Sequence, residues 1–279
     1  MRGVRSDRGV LLRRTAYGES SLVVQVLTPR FGRVHLLAKG AYRPTSRYFA
    51  VLDLFDTLEL QWSVRGGADL GLLREASISV RRRHLTDDLG AYGGALSALE
   101  LAEIAARPGQ PDPALFQLVE DALYGLEQGT RTGEWSAPLV SVVFELRFLQ
   151  NLGITPALAD CAACGGPAPT VRGDRVAFSA GAGGRLCQAH AAEARASGRR
   201  VGTLPAAVLE AAQTLAGSSP RSPRPTDLPQ ELIERVRDFA GRFLDYHLET
   251  RPKSHRRFLA APNRNAPEAG APPAFRAAR

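Results

Sequence analysis

All three cysteines of the 279-residue chain lie in one stretch, "CAACGGPAPTVRGDRVAFSAGAGGRLCQAH", residues 161–190. Two residues separate Cys161 from Cys164, and Cys187 and His190 repeat that spacing after 22 intervening residues. Structural zinc takes four thiolate or imidazole ligands, commonly from two such turns. The spacing therefore predicts one structural Zn²⁺ ion in a Cys3His site. Two alternatives remain: a degenerate site without metal, and unrelated thiols or a redox pair.

The same residues do not indicate catalysis. Catalytic zinc keeps an open coordination position near a general acid or base, whereas four protein ligands are available here. The nearby carboxylates of Asp160 and Asp174 are not in an HxE-type arrangement. The chain also contains no P-loop, GxSxG, HExxH or dinucleotide fingerprint. We therefore expect a protein that is not an enzyme.

Positive charge is concentrated at the two ends of the chain, whose formal net charge is +8. Residues 1–83 carry 15 Arg/Lys against 7 Asp/Glu, and residues 251–279 carry 7 against 1. Residues 84–150 are acidic, with 3 Arg/Lys against 10 Asp/Glu. Basic segments of this size attract polyanions, most commonly nucleic acid. A solvated arginine-rich face is the simpler alternative.

The chain carries no sign of export or membrane insertion. No stretch reaches the roughly 20 apolar residues that a spanning helix needs. Arginines interrupt the N-terminal "MRGVRSDRGVLLRR" too often for a signal peptide. In such a chain a CxxC pair favours metal or redox chemistry over a structural disulfide. We expect a cytoplasmic, nucleoid-associated protein without membrane contacts.

The first 83 residues predict a small β-barrel. Five β-prone runs separated by turns are present: "VLLR", "SLVVQVLT", "RVHLLAKG", "DTLELQWSV" and "LLREASISV". In the turn "PRFG", Pro29 can fix its φ angle and Gly32 can take a positive one. The strand count fits the five-stranded OB-fold, with an SH3-like barrel as the alternative.

An OB-fold barrel binds single strands through a basic groove and through aromatic rings on which bases stack. The candidate DNA-binding residues are Arg13, Arg14, Arg30, Arg33, Lys39, Arg43, Arg47, Arg81 and Arg82. Tyr42 lies among them, whereas Tyr48 is more typical of a core position. The alternative is that these cations only keep a barrel soluble. We expect Arg107, Arg131 and Arg172 to contribute far less to binding.

From Leu85 onward, apolar residues recur at helical spacing. Helices are predicted in "TDDLGAYGGALSALELAEIAA", "DPALFQLVEDALYGLEQG", "WSAPLVSVVFELRFLQNLG", "LPAAVLEAAQTLAG" and "DLPQELIERVRDFAGRFLDYHLE". The fold class is thus multidomain α+β. Its parts are an OB-fold domain (1–83), a helical domain in two parts (84–160 and 201–260), a zinc-binding insertion (161–200) and a disordered tail (261–279).

Several of these stretches resemble the bacterial recombination mediator family RecO. The resemblance begins with "GVLLRRTAYGESSLVVQVLTPRFGRVHLLAKGAYRPTSR", which is similar to the opening barrel of that family. It continues through "FELRFLQNLGITPALADCAACG", a bundle helix entering the metal turn, and "GGRLC", the return turn. It ends with "FLDYHLETRPKSHRRFL", the final helix. The similarity covers about residues 5–260 in the family's order.

The resemblance implies an OB-fold, a helical domain and an inserted zinc-ribbon-like element. It implies binding of single- and double-stranded DNA, strand annealing, and a role with RecR in loading RecA onto DNA coated by single-strand-binding protein. This is the RecF pathway of recombinational repair. The family contacts the acidic C-terminal tail of the coating protein through its helical domain, for which Phe144, Arg147 and Phe148 are the candidates. His190 departs from the four cysteines typical of the family, some of whose members have lost the metal.

Two other classes of function remain open. One is an enzyme that modifies nucleic acid and uses an OB-type domain to hold its substrate, although no cofactor or carboxylate constellation supports it. The other is an RNA-binding scaffold with a structural zinc. A comparison of affinity for single-stranded DNA and structured RNA separates these classes.

Overall fold

The computed structural model describes most of the chain: residues 3–48, 50–64, 69–223, 227–248 and 253–254. The predicted tail 261–279 and most of residues 249–260 lie outside the described residues. In the described part, a β-barrel precedes a helical bundle, and a small sheet is inserted between two helices of that bundle. No helix there combines the length and the apolar character required to cross a membrane.

Five strands form the barrel: β1 Gly3–Tyr17, β2 Ser21–Thr28, β3 Gly32–Ala38, β4 Thr57–Val64 and β5 Leu70–Val80. They close in the order β1-β2-β3-β5-β4. All pairs are antiparallel except β3 with β5, which is parallel. This five-stranded Greek-key arrangement is that of the OB-fold. The OB-fold prediction is therefore confirmed, and the SH3-like alternative is not adopted.

Strand β1 is much longer than the predicted run "VLLR". Its first half, Gly3 to Val10, pairs with β4, and its second half, Val10 to Tyr17, pairs with β2. The register shifts between Leu11 and Arg13, where a bulge bends the strand. One strand with two partners closes the barrel, a long-range requirement that the local pattern does not contain.

The helical bundle consists of α1 Leu89–Ala105, α2 Pro113–Thr132 and α3 Ala137–Asn151, followed after the insertion by α5 Ala206–Ala216 and α6 Gln230–His247. Asp88 caps α1 by accepting the Ala91 N–H at 2.7 Å. Asp112 caps α2 in the same way, and Pro113 is its first residue. These caps explain why the helices begin where they do, and their apolar faces form one continuous core.

The insertion contains β6 Arg175–Ser179, β7 Gly184–Leu186, α4 Gln188–Ala196 and β8 Gly202–Pro205. Its three strands form a sheet in the order β7-β6-β8. Strand β6 is the predicted strand "RVAFSA". Helix α4 and strand β8 were not predicted, because both are short and follow no strong periodic pattern. The chain passes from β8 directly into α5, so the insertion returns to the bundle without a linker.

A buried ion pair joins the barrel to the bundle. Arg82, which follows β5, is only 7% exposed, and its Nη2 lies 3.2 Å from Oε1 of Glu120 on α2. The same carboxylate oxygen accepts the Thr57 hydroxyl at 2.6 Å. A second guanidinium nitrogen of Arg82 donates to the Phe55 carbonyl. Because the charges are buried, they depend on one another and on this hydrogen-bond network.

The turn between β2 and β3 makes a second contact with the bundle. Gly32 has a φ angle of +63°, and a Cβ atom there would lie 2.2 Å from the Gln110 carbonyl oxygen. The Arg33 N–H donates to the Arg107 carbonyl at 3.2 Å. A glycine is therefore required at this position by both its backbone angle and the close approach of the α1–α2 connection.

We predict that Glu120→Ala lowers the free energy of unfolding by about 3 kcal/mol, because it leaves the Arg82 guanidinium buried without its counter-charge. Chemical denaturation provides the measurement. The control is Glu210→Ala, since Glu210 is exposed on α5. Equal stabilities of the two variants would show that the buried pair does not secure the barrel–bundle junction.

Candidate nucleic-acid interface and metal centre

The first metal-ligand turn follows α3 and is shaped by glycines. Cys161 is buried and Cys164 is exposed. The Gly165 N–H donates to the Cys161 carbonyl at 2.8 Å, and the Cys161 N–H donates to the Gly166 carbonyl at 2.9 Å. Gly165 has a φ angle of +67°, which glycine adopts without strain. These bonds hold both thiols on one side of a tight turn.

The second pair of ligands lies at the start of α4. Cys187 is the N-cap residue of that helix, and His190 lies in its first turn. The Nδ1 atom of His190 is 3.1 Å from the Cys187 sulfur and 3.6 Å from the Cys161 sulfur. The ligand atoms of Cys161, Cys164, Cys187 and His190 all lie within 4.8 Å of one another.

Backbone amides favour the thiolate forms that bind metals. Burial acts to raise the pKa of the Cys161 thiol, but amides of Cys187 and Cys164 donate to its sulfur and lower the pKa to about 6. Hydrogen bonds from the backbone and ring of His190 lower the pKa of Cys187. The same contact raises the pKa of the His190 ring. The thiolate forms of Cys161 and Cys187 are thus favoured, whereas the Gly166 amide acts to lower the pKa of the Cys164 thiol but its neighbours Cys161 and Cys187 raise it.

The four side chains fit a tetrahedral ion. Ligand bonds of about 2.3 Å to sulfur and 2.0–2.1 Å to nitrogen place ligand atoms about 3.6–3.8 Å apart. The observed separations of 3.1 and 3.6 Å, and the overall limit of 4.8 Å, bracket this range. The sequence prediction that these four residues come together is confirmed, and they are close enough to hold one metal ion.

The outward face of β1, β2 and β3 is the second candidate site, and we call it the barrel face. Strand register and alternation place eight side chains on it: Arg13, Thr15, Tyr17, Val23, Gln25, Arg33, His35 and Leu37. Residues of the opposite parity, such as Val24 and Leu36, are buried in the barrel core. OB-folds use the equivalent face of strands β2 and β3 to bind oligonucleotides.

One end of the barrel face meets α1, and we call it the near end. Arg13 lies there, 3.6 Å from the Glu103 carboxylate, with its side chain 62% exposed. Arg33 donates to the Glu103 carbonyl at 2.9 Å. Burial and the positive charge of Arg33 lower the pKa of His35, so this ring is neutral near pH 7. The near end therefore carries two guanidinium groups against one carboxylate.

The opposite end, the far end, is more open. Tyr17 and Tyr42 are 58% and 52% exposed. The Tyr42 N–H donates to the Ser20 carbonyl at 2.9 Å, which holds the loop after β3 against the β1–β2 turn. Lys39 and Arg43 are exposed on this loop, and neither forms an ion pair with another described residue. Two aromatic rings and two unpaired cations are therefore grouped together.

The remaining predicted cations serve the protein's own structure. Arg14 contacts the Asp53 carboxylate at 2.9 Å, and Arg81 contacts the Asp56 carboxylate at 3.2 Å. Both therefore secure the long connection between β3 and β4. Arg82 is buried in the junction described above, where a phosphate does not reach it. The exposure expected of a DNA contact is absent at that position.

Arg30 and Arg47 are exposed like the cations of the barrel face, but each also contacts groups of the protein itself. Arg30 is exposed but is bound to the buried Asp7 carboxylate at 3.0 Å. The Arg47 guanidinium lies over the Tyr48 ring, 5.2 Å from its centroid, and also donates to the Arg74 carbonyl. Tyr48 is buried, in agreement with its assignment to the core.

The residues predicted to hold an acidic tail are mostly inaccessible. Phe144 is 3% exposed, Phe148 is fully buried, and their rings stack at 5.8 Å in the bundle core. Only Arg147 points to solvent. The apolar stripe of α3 therefore packs into the bundle core, which is the usual role of such a stripe on a helix.

Sequence reasoning missed Tyr17, whose ring is among the most exposed aromatic groups of the described residues. The available signal was its position directly before Gly18, where an aromatic side chain at a hairpin end has no core to enter. Arg107 was expected to contribute little. The structure places it beside Arg13 and Arg33, in the wall of a cavity between barrel and bundle.

Comparison with known proteins covers nearly the whole chain. A family model described as Recombination protein O N terminal matches residues 1–80, and one described as Recombination protein O C terminal matches residues 86–256. A DNA repair protein RecO from Anaeromyxobacter sp. (strain K) is 35% identical over 254 residues, which are 90% of this chain and 94% of that protein. One from Exiguobacterium sibiricum is 34% identical over 186 residues, covering 66% and 70%. The chain belongs to the RecO family of DNA repair proteins.

Proposed function

We propose that this protein is a recombination mediator that binds single- and double-stranded DNA and anneals complementary strands. With RecR, it helps to load RecA onto DNA coated by single-strand-binding protein. The observation that carries the proposal is the far end of the barrel face, where exposed tyrosines lie beside cations without ion-pair partners. Membership in a DNA repair family supports the choice of DNA as the polyanion.

The barrel face accounts for annealing without bond chemistry. Two single strands repel each other through their phosphates, and cations that screen those charges lower the barrier to their approach. Arg13 and Arg33 at the near end and Lys39 and Arg43 at the far end contact the backbone, while base edges stay free to pair. Because phosphates carry no sequence information, we expect little sequence preference.

The tyrosines add a contact that only unpaired bases accept. An aromatic ring stacks on the face of any base, and this face is covered in a duplex by neighbouring base pairs. Tyr17 and Tyr42 lie where the β1–β2 turn meets the loop after β3. We therefore assign them to single-strand binding, with the cations serving both DNA forms.

Partner contacts are assigned to the helical half of the molecule. The acidic bundle is a poor surface for DNA, and this favours proteins as its partners. An apolar groove of about 460 Å³ lies between β8 and α6, lined by Phe178, Phe239 and Phe243, with Arg235, Asp238 and Arg242 among its polar residues. Both arginines form ion pairs with carboxylates of α6. The apolar lining suits the apolar end of the tail of single-strand-binding protein better than the buried rings of α3 do.

We also propose that the ion held by the cysteine cluster is Zn²⁺ in a structural role. The Cys3His donor set is one that zinc favours, and four protein ligands leave no open position for catalysis. When bound, the metal cross-links the turn after α3 to the start of α4. Metal-binding free energy then becomes folding free energy of the insertion.

Charge reversal tests the DNA surface. We predict that the double variant Lys39→Glu with Arg43→Glu binds a fluorescent oligo(dT) more than about tenfold more weakly. A plot of log K, the binding constant, against log salt concentration should also become shallower by about 1.4, because each lost phosphate contact removes about 0.7 from the slope. Anisotropy at several salt concentrations provides the measurement. Annealing of complementary strands coated by single-strand-binding protein should slow in parallel.

The matched control for this test is Arg131→Glu with Arg172→Glu, which changes the net charge equally at exposed sites away from the barrel face. If both double variants bind oligo(dT) alike, the barrel face is not the DNA surface. Tighter binding of the unaltered protein to structured RNA than to oligo(dT) would favour the RNA scaffold instead.

Stacking has a separate test. Tyr42→Ala should cost about 1–3 kcal/mol in single-strand binding, the range for loss of one stacked base, with a much smaller effect on duplex DNA. Tyr246→Ala is the control, because Tyr246 is 59% exposed on α6, away from the barrel face. Equal losses for single strands and duplex would rule out base stacking at Tyr42.

Metal analysis tests the zinc proposal. Altering groups that only support metal ligands lowers metal affinity by up to about 100-fold. Because Cys161 is a proposed ligand, we predict that Cys161→Ser lowers zinc affinity by more than that. It should also lower the melting temperature. His190→Cys should retain zinc, and His84→Ala, at an exposed histidine outside the cluster, should change neither quantity. Unaltered metal content and melting temperature in Cys161→Ser would refute the structural role.

A further inference from the structure

Lys253 and Ser254, which follow α6, contact helix α1 beside the barrel. The backbone N–H of Lys253 donates to Oε1 of Glu100 at 2.7 Å, and the N–H of Ser254 donates to Oε2 at 2.6 Å. Glu100 lies on α1, more than 150 residues earlier in the chain. Two charge-assisted bonds to one carboxylate are stronger than ordinary backbone contacts, so they form an anchor.

The anchor lies in the wall of a cavity of about 1000 Å³ between the barrel, α1 and the end of α6. The positively charged residues that line it are Arg13, Arg33, Arg107 and Lys253. Arg13 and Arg33 also form the near end of the barrel face. The cavity is therefore continuous with the surface assigned to DNA.

The charge balance in this cavity favours an anion. Its two carboxylates are both engaged, that of Glu100 by the two backbone amides and that of Glu103 by Arg13. Arg107 and Lys253 are exposed, and neither has an ion-pair partner among the residues that the structure describes. Four cations and two carboxylates thus line the cavity, which leaves a formal net charge of +2.

We propose that Glu100 holds Lys253 and Ser254 at the near end of the barrel face, so that Arg107 and Lys253 extend the phosphate-binding surface for a single strand. The inference rests on the proposed DNA-binding function.

Glu100→Ala provides the test because its two effects have opposite signs. Removing a negative charge near DNA strengthens binding by simple electrostatics, whereas releasing Lys253 from the cavity wall weakens it. Glu134→Ala, at an exposed position away from the cavity, measures the effect of losing one formal charge from the protein as a whole. We expect Glu100→Ala to weaken binding of an oligo(dT) of about 25 nucleotides roughly fivefold. Binding of one of about 8 nucleotides, within the range that a single OB-fold covers, should not change.

A second variant covers the case that Glu100→Ala does not fold. The double variant Arg107→Glu with Lys253→Glu changes only exposed side chains, so we expect it to fold. This variant should show the same dependence on oligonucleotide length and make the salt slope shallower by about 1.4 for the long strand. Anisotropy with the full chain provides both measurements.

The outcomes separate this inference from the proposed function. If Glu100→Ala binds the long strand as well as Glu134→Ala does, or more tightly, the anchored extension is wrong. If Lys39→Glu with Arg43→Glu abolishes binding while the Arg107 and Lys253 variant does not weaken it, the barrel face stands and the extension fails. If none of these variants weakens binding, the proposed function itself fails.

Discussion

The buried ion pair between Arg82 and Glu120 is the constraint on which the arrangement of the molecule depends. It lies where the last barrel strand passes into the bundle, and Arg8 of β1 adds a second cation 3.6 Å from the Glu120 carboxylate. By fixing α2 against the barrel, it also fixes α1 and the α1–α2 connection. The near end of the barrel face, where Arg13 meets Glu103, exists only because α1 is held in that position.

That geometry separates arginines of the first 83 residues by the partners that their side chains have. Those near the connection between β3 and β4, such as Arg14 and Arg81, are neutralised by carboxylates of the same connection. Those on the barrel face and on the loop after β3 keep much of their charge exposed. Because a polyanion is attracted by the local field and not by the total charge, the distribution of ion pairs matters more for DNA binding than the net charge of +8.

Local signals predicted much of the structure. The β-branched runs and the turn "PRFG" indicated the barrel strands, and helical periodicity with Asp and Pro caps indicated the bundle helices. Two matched spacings were enough to identify the four residues that come together as the Cys3His cluster. Each of these signals acts over a few residues, or over two short turns. The length of β1, the strand β8 and the exposure of Tyr17 depend on partners distant in the chain, and the local pattern does not specify them.

The sequence by itself determined the classes of element, the members of the Cys3His cluster and the basic character of the leading domain, because residue type and spacing are sufficient for these properties. Only the tertiary structure decided which cations face solvent. Arg82 and Lys39 have the same formal charge, yet one is buried against Glu120 and the other is exposed on the loop after β3. The burial of Phe144 and Phe148 also depends on the tertiary structure, as do the hydrogen bonds from the amides of Lys253 and Ser254 to Glu100. The physical reason is that burial and ion pairing are properties of contacts between distant segments, which exist only after the chain has folded.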